Sequence, residues 1–436
     1  MRTYIILLIF FFVSGCEDFV EKEPVDAIPE ESAITDSRSA EEAVAELYRS
    51  FYVAPTQNLE SLSDQSGGFF GFDDEFSLNS VRAESSAINA IWRLLYEPVV
   101  LANIIIDNLA AVEIEGRDAY IAEAKVIRAF HMVLLVQHWG DVPYSESPDY
   151  QVLQDLGRLP ASEIYANLIT DLEEASQDLP LTYADIGTTR TRFTTGGATA
   201  LLARTHLYNE NWAEAEAAAT TVISNDLYSI QSTYADVFTK NSQESIMELW
   251  SDPFTFGGLG NSFLPFALGG RNLYVPTDKL WNAFETGDQR RDVSISMDTG
   301  GQLYISKYPD VTLSGTLQEV KVLRLAEIYL IRAEARAQQN DIQGAVADIN
   351  VVRNRAGLPD TSADDRSSVL LAVEQERFVE LAFEGHRWID LVRTGRANEV
   401  MGQFNSQGWD TTDQLMPIPL PEIDLNANIL PQNPGY

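Results

Sequence analysis

Apolar positions recur every three to four residues through most of the chain, with polar residues filling the intervals. Ala43, Leu47 and Phe51 stand four apart behind Asp36-Ser37-Arg38-Ser39, which predicts a helix from Ala40 to about Tyr52. Trp92, Leu95, Val99, Ala102 and Ile106 mark one face of a long helix over Ala87 to Val112. In the next, Asp118 to Trp139, the residues Val126, Ile127, Phe130, Val133, Leu134 and Leu135 surround the axis, the pattern of a buried helix. Gly140 ends it and Pro143 prevents continuation. Helical periods return over Ala161–Leu179, Gly196–Tyr208, Trp212–Ser224, Val322–Gln339, Ile342–Ala356, Ser367–Phe383 and Gly385–Thr394. Two stretches lack any period and read as long loops: residues 53–85, rich in Gly, Ser, Asp and Phe, and 251–276, rich in Gly, Phe, Asn and Pro. Leu415 to Tyr436, Pro- and Asn-rich, excludes a long regular element.

Several of these helices come in pairs. Asn211-Trp212-Ala213-Glu214-Ala215 opens one second helix, and Asp341-Ile342-Gln343-Gly344-Ala345 opens another at the corresponding place. Small alanines let paired helices approach closely, and neighbouring pairs bury one another's apolar faces. The fold expected is mostly α: a tetratricopeptide-like helical hairpin array with an irregular, loop-rich lobe. Periodicity alone leaves a generic bundle open. The array is placed at about 36–52, 87–139, 161–225 and 321–395, the loop-rich ligand-binding lobe at about 53–85 and 226–320, and an irregular segment at 396–436.

Composition changes this picture mainly at the N-terminus. Among 436 residues, 30 Lys+Arg face 65 Asp+Glu for a net charge of −35, which argues against nucleic acid, a partner that demands a basic footprint. A single cysteine excludes an internal disulfide framework and CxxC sites. That cysteine, Cys16, follows Met1-Arg2-Thr3, an apolar run from Tyr4 to Val13, and Ser14-Gly15. A basic start, a short apolar run and small residues read as a secretory signal over 1–15. Residues 16–35 then read as an acidic, Pro-containing tether, and no later segment approaches the ~20 apolar residues of a membrane span. Val13-Ser14-Gly15-Cys16 resembles the lipobox of bacterial lipoproteins, which implies cleavage before Cys16 and its acylation. Several acyl chains give stable anchoring, so the chain is expected to sit on a membrane without crossing it.

Motifs spread over the whole chain carry a second resemblance. Glu123-Ala124-Lys125-Val126-Ile127-Arg128-Ala129-Phe130 runs on to Trp139-Gly140-Asp141-Val142-Pro143. Val322 to Ala335 contains Arg324, Glu327, Arg332 and Glu334 at spacings that permit intrahelical pairs. Glu376-Arg377, Glu380 and Glu384-Gly385-His386-Arg387-Trp388-Ile389-Asp390-Leu391 follow, then Pro417-Ile418-Pro419, and the chain ends Gln432-Asn433-Pro434-Gly435-Tyr436. In this order they resemble the SusD/RagB family of outer-membrane nutrient-binding lipoproteins. The resemblance implies a non-catalytic protein on the outer membrane, facing the cell exterior, that captures oligosaccharides. It also implies a SusC-like TonB-dependent transporter as partner, over which this chain would act as a lid. A peptide-capturing RagB-like relative shares fold and partner and stays open as an alternative.

Glu376, Glu380 and Glu384 with Arg377, His386 and Arg387 could hold an acid–base pair of a glycoside hydrolase, but a salt-bridge network locking the last helices is the favoured reading. His131 and His138, on one helix face, read as packed histidines, and HExxH, GxSxG and phosphate-cradling loops are absent from the sequence. Asp73-Asp74-Glu75 would suit calcium, although such runs are usually solvated, and no metal or other cofactor is assigned. Sugars stack their C–H faces on aromatic rings, and loops are free to present them. One candidate platform is therefore Phe69, Phe70, Phe72 and Phe76 with Asp73 and Asn79; the other is Phe254, Phe256, Asn272 and Tyr274. Phe263, Phe266, Trp250 and Trp409 are further loop aromatics. The acidity disfavours polyanionic glycans unless a local basic patch compensates.

Overall fold

Each long helix packs chiefly against the next, so the chain builds its core by accretion. A computed structural model describes residues 34–51, 62–64, 67–69, 75–249, 259–309, 320–404 and 408–436. α1 (Ser37–Phe51) lies against α2 (Ser86–Ala110) and α3 (Arg117–Trp139). α3 packs on α4 (Ala161–Asp178), α4 on α5 (Thr195–Tyr208), and α5 on α6 (Trp212–Ile223). A short helix, α7 (Asp278–Trp281), belongs to the loop-rich region. The array resumes with α8 (Leu325–Gln338), seated on α6, followed by α9 (Ile342–Arg355) and α10 (Arg366–Glu380), and then by α11 (Arg387–Arg393) and α12 (Ala397–Phe404).

Helix ends follow local chemistry. Ser85 caps α2 by accepting from the N–H groups of Ala87 and Ile88, and Asp365 with Ser368 forms a capping box on α10. The two hairpin turns anticipated from the sequence have the same geometry. Glu210 and Asn340 both take a left-handed backbone, with φ of 58° and 67°. In both turns the N–H of the following residue returns to the preceding helix, Asn211 to the His206 carbonyl at 2.9 Å and Asp341 to Arg336 at 2.8 Å. Equivalent turns at equivalent places distinguish tetratricopeptide-like hairpins from a generic bundle.

α3 is buried around most of its circumference, as its apolar pattern predicts. α2, 25 residues long, is apolar and long enough to cross a membrane by length and composition, contrary to the expectation from sequence. Here it turns Ile88, Trp92, Leu95 and Ala102 into the core. Three two-stranded antiparallel pairs complete the fold: β1 (Val142–Pro143) with β2 (Arg158–Leu159), β3 (Ser245–Glu248) with β6 (Lys321–Arg324), and β4 (Ile295–Met297) with β5 (Leu303–Ile305). The segment expected to be irregular, 396–436, instead opens with α12 and carries a short helix at Leu420–Leu425; the stretches around that helix are irregular but clamped. Asn433 donates to the carbonyls of Trp139 (2.9 Å) and Met416 (2.8 Å), and the Trp139 indole donates to the Pro417 carbonyl at 2.8 Å.

A second core lies beneath the loop-rich lobe and is largely aromatic: Phe69, Tyr234, Phe238, Phe263, Tyr308, Phe378 and Phe383. Buried ion pairs tie it to the array. Arg324 holds Glu244 (3.1 Å), Glu380 (2.5 Å) and Glu384 (2.6 Å), while Arg290 holds Asp288, Glu376 and Glu380. The intrahelical pairing that spacing permits in α8 is not what forms. Glu327 pairs with Arg204, Arg332 with Asp348, and Glu334 with Arg393, each on another helix. Carboxylates and guanidinium groups here act between elements, because a buried charge needs its partner from whatever packs against it.

Candidate functional site

The two loops singled out from the sequence meet. Thr277, just before α7, donates its N–H to the Phe69 carbonyl and its hydroxyl to the Gly68 carbonyl, both at 2.9 Å. Residues 62–64 and 67–69 are in turn pinned to the start of α11. The Ser63 hydroxyl accepts from the Trp388 N–H at 3.1 Å, and the Asp64 carboxyl accepts from the Gly385 N–H at 2.9 Å.

This anchoring overturns part of the first platform. Phe69 is 1% exposed, stacked on Phe378 with centroids 5.2 Å apart and tilted against Phe383, so its ring belongs to the second core. Phe76 is buried in the main core, and Asn79, at φ 51°, is a buried turn residue whose N–H returns to the Phe76 carbonyl. A ring that fills a core cannot stack on a ligand without unpacking its neighbours. Phe70, Phe72, Asp73, Phe254, Phe256, Trp250 and Cys16 lie outside the described residues. Glu75, the last of the acidic run, accepts the Ser85 hydroxyl at 2.5 Å, and no cluster able to hold a metal occurs among the described residues.

In the second loop Tyr274 is half-buried against Phe263, itself buried, at 6.0 Å between centroids, and Asn272 takes φ 48°. The ring that faces solvent is Phe266, 82% exposed. Its position is fixed by backbone hydrogen bonds: Arg271 to Asn261 (2.7 Å), Asn272 to Leu264 (2.8 Å) and Leu273 to Ser262 (2.7 Å). Gly270 is required there, since a Cβ would stand 2.1 Å from the Leu264 carbonyl oxygen. Phe266 was one loop aromatic among many in the sequence. The available signal was its setting, Pro265-Phe266-Ala267-Leu268-Gly269-Gly270, a short apolar run between turn formers. Of the tryptophans, Trp92, Trp139 and Trp388 are buried, Trp212 and Trp281 half-buried, and Trp409 half-buried edge-on to Trp388 at 5.7 Å.

The charge-rich cluster has the geometry of a lock. Glu376 and Glu380 are buried and fully engaged by arginines. Arg355, Arg324 and Arg290 outweigh burial and hold the Glu380 carboxyl far below the usual range, and Arg324 and Lys307, against burial, hold that of Glu384 below its ordinary value. A general acid needs the opposite shift. Glu384 and His386 line only a cavity of about 30 Å³, too small for a sugar ring. His131 and His138 are buried, and burial pushes them down to about 4 and about 3, so both are packed and neutral.

Fold and surface together define a class: a tetratricopeptide-like array that carries a loop-rich lobe with one exposed aromatic on a fixed loop. Two family profiles match the chain, one described as "SusD family" over residues 294–436 and one as "Starch-binding associating with outer membrane" over 18–207. The chain belongs to the SusD family. Among curated relatives, SusD-like protein P2 of Formosa agariphila is 25% identical over 100% of this chain and 99% of its own. Starch-binding protein SusD of Bacteroides thetaiotaomicron is 34% identical over 42% of this chain and 32% of its own. Among solved structures, a laminarin-binding SusD-like protein superposes with a TM-score of 0.79 at 24% identity, covering 92% of this chain and 100% of that one. Surface glycan-binding protein A of B. thetaiotaomicron in complex with laminarihexaose gives 0.77 at 22% identity, covering 92% and 100%. At these identities the structural likeness is one of fold.

Proposed function

We propose that this chain is a non-catalytic, cell-surface lipoprotein that captures oligosaccharides, anchored through acylated Cys16 to the outer membrane. The observation that carries the reading is Phe266, a large apolar ring held in solvent by a hydrogen-bonded loop. A lone exposed apolar side chain is common on protein surfaces; what marks this ring is the loop that fixes it, and a sugar's C–H face fits a ring so presented. Phe254 and Phe256, which precede that loop in the sequence, are proposed as further members of the platform. The lobe formed by residues 53–85 and 226–320 is then the binding lobe and the array its support. Membership of the SusD family and the glycan ligands named for two structural neighbours support the same reading. Captured chains pass to a SusC-like TonB-dependent barrel beneath the lobe. Screening the purified chain on an array of neutral and acidic glycans tests the proposal. Binding to one glycan class without product release is expected. Silence across the array, with binding to peptides instead, would overturn it in favour of the peptide-capturing alternative.

A further inference from the structure

A cleft of about 370 Å³ opens between α7, α10, α11 and α12, with Lys279, Glu374, Gln375, Phe378, Arg387 and Arg396 in its wall. That volume suits a sugar ring with a substituent. The cleft adjoins the seam where the two loops meet, because Phe378 in its wall stacks on Phe69.

Its charges are unevenly matched. Arg396 engages Glu374 at 2.8 Å and also pairs with Glu399, so the two carboxylates of the wall share one guanidinium. Arg387 makes no contact pair with either, although the charges of Glu374 and Asp390 lie near enough to favour its own. Only 5% of Arg387 is exposed, its guanidinium lies 4.1 Å over the Phe378 ring, and its Nε is buried with no hydrogen-bond partner. Among the described residues its side chain has no carboxylate in ion-pair contact, a state it shares with buried Arg190, whereas buried Arg128, Arg204, Arg290, Arg324, Arg355 and Arg377 each hold one; of the two, Arg387 is the one that lines a cleft. Asp64 is engaged by the backbone N–H groups of Gly385 and Arg387, and burial pushes its carboxyl up to about 8, so it offers little negative charge at neutral pH. Lys279 likewise has no ion pair among the described residues and lies 5.1 Å over Phe404. Burial, and then the neighbouring Arg387, pushes its ammonium down to about 8.

Three cations, Lys279, Arg387 and Arg396, against the two carboxylates of Glu374 and Glu399 leave this cleft net positive in a chain of net charge −35, a local reversal of field. A buried guanidinium lacking its anion is a costly arrangement that a ligand anion relieves. We infer that this cleft is a subsite for an anionic substituent, a uronate carboxylate or a sulfate ester, on the captured glycan, with Arg387 and Lys279 as its binding residues. The planar guanidinium suits a two-oxygen grip, and the ammonium adds a point charge. The inference rests on the glycan-capture reading and narrows it to chains bearing acidic sugars.

Ligand-observed NMR on the purified full chain, with sodium glucuronate, glucose 6-sulfate and glucose at fixed ionic strength, tests the subsite. One or both charged sugars are expected to bind more tightly than glucose. Lys279→Gln should weaken them about tenfold, and Lys279→Arg should restore them. Lys279 is only half-buried, so the thermal transition of both variants should match wild type, even if Arg387→Gln fails to fold. Equal binding of charged and neutral sugars, or charged-sugar binding indifferent to Lys279→Gln, would overturn the subsite. So would binding of a glutamate-rich peptide that Lys279→Gln abolishes while the charged sugars stay silent. The glycan array separates the two readings: binding confined to neutral glycans leaves capture standing and overturns the subsite, whereas silence to every glycan overturns capture itself.

Discussion

Two phenylalanines from the candidate loops should behave in opposite ways. Phe69 is 1% exposed and stacked on Phe378, and Phe266 is 82% exposed. Phe69→Ala removes a buried ring and leaves a cavity beside Phe378 and Phe383, a loss of about 3–5 kcal/mol by analogy with core phenylalanines. With an unfolding entropy of ~2.1 cal/mol/K per residue over roughly 400 ordered residues, Tm should fall by roughly 4–6 °C. Phe266→Ala removes no packing, so Tm should stay within about 1 °C. Its ring loses instead the stacking it would give a sugar, about 1–2 kcal/mol, or roughly 5- to 30-fold in Kd. Differential scanning fluorimetry gives the first number. Calorimetric titration with whichever oligosaccharide binds wild type most tightly gives the second. A Phe69→Ala protein as stable as wild type would refute the second core. A Phe266→Ala protein of unchanged affinity would remove the platform.

Arg324→Met should cost about 3–5 kcal/mol in urea unfolding, since Glu380 and Glu384 would lose a shared buried cation; a loss under about 1 kcal/mol would show the web to be redundant. Asn433→Ala leaves the Trp139 and Met416 carbonyls without their donor and should lower stability by about 1–3 kcal/mol, read by the same assay. Arg204, opposing burial, holds the Glu327 carboxyl down at about 2 against an ordinary 4.5. A depressed carboxyl contributes stability that is complete above about 4.5 and is lost as pH falls towards about 2, so Glu327→Gln should flatten the Tm–pH profile in that window. An unchanged slope would contradict the assignment. Finally, Cys16→Ala should move the chain from the membrane fraction to the soluble fraction and abolish incorporation of labelled palmitate.

The helices were legible because one periodic signal, repeated over ten or more residues, has one physical cause: a helix face turned towards a core. The turns at Glu210 and Asn340 were legible for a related reason, since short Asn/Asp-rich breaks between alanine-rich helices leave few geometries. The aromatic loops were not. Phe69 and Phe266 both stand among glycines without a period, and whether such a ring turns inward depends on partners such as Phe378 and Thr277, which lie hundreds of residues further on or in the other loop. The charge cluster shows the same boundary. Glu376, Glu380 and Glu384 announced a network through their density, but their partners Arg290, Arg324 and Arg355 come from elements that only the fold brings near. Arg387 marks where that reasoning becomes useful. Inside a motif otherwise consumed by ion pairs, its guanidinium is the member with no carboxylate in contact among the described residues, and it stands in the wall of a cleft. A scaffold motif that pairs Arg377 and Arg393 with Asp390 yet leaves the neighbouring Arg387 over the Phe378 ring, with no carboxylate in contact among the described residues, puts a charge in the cleft wall that an anion from outside would match.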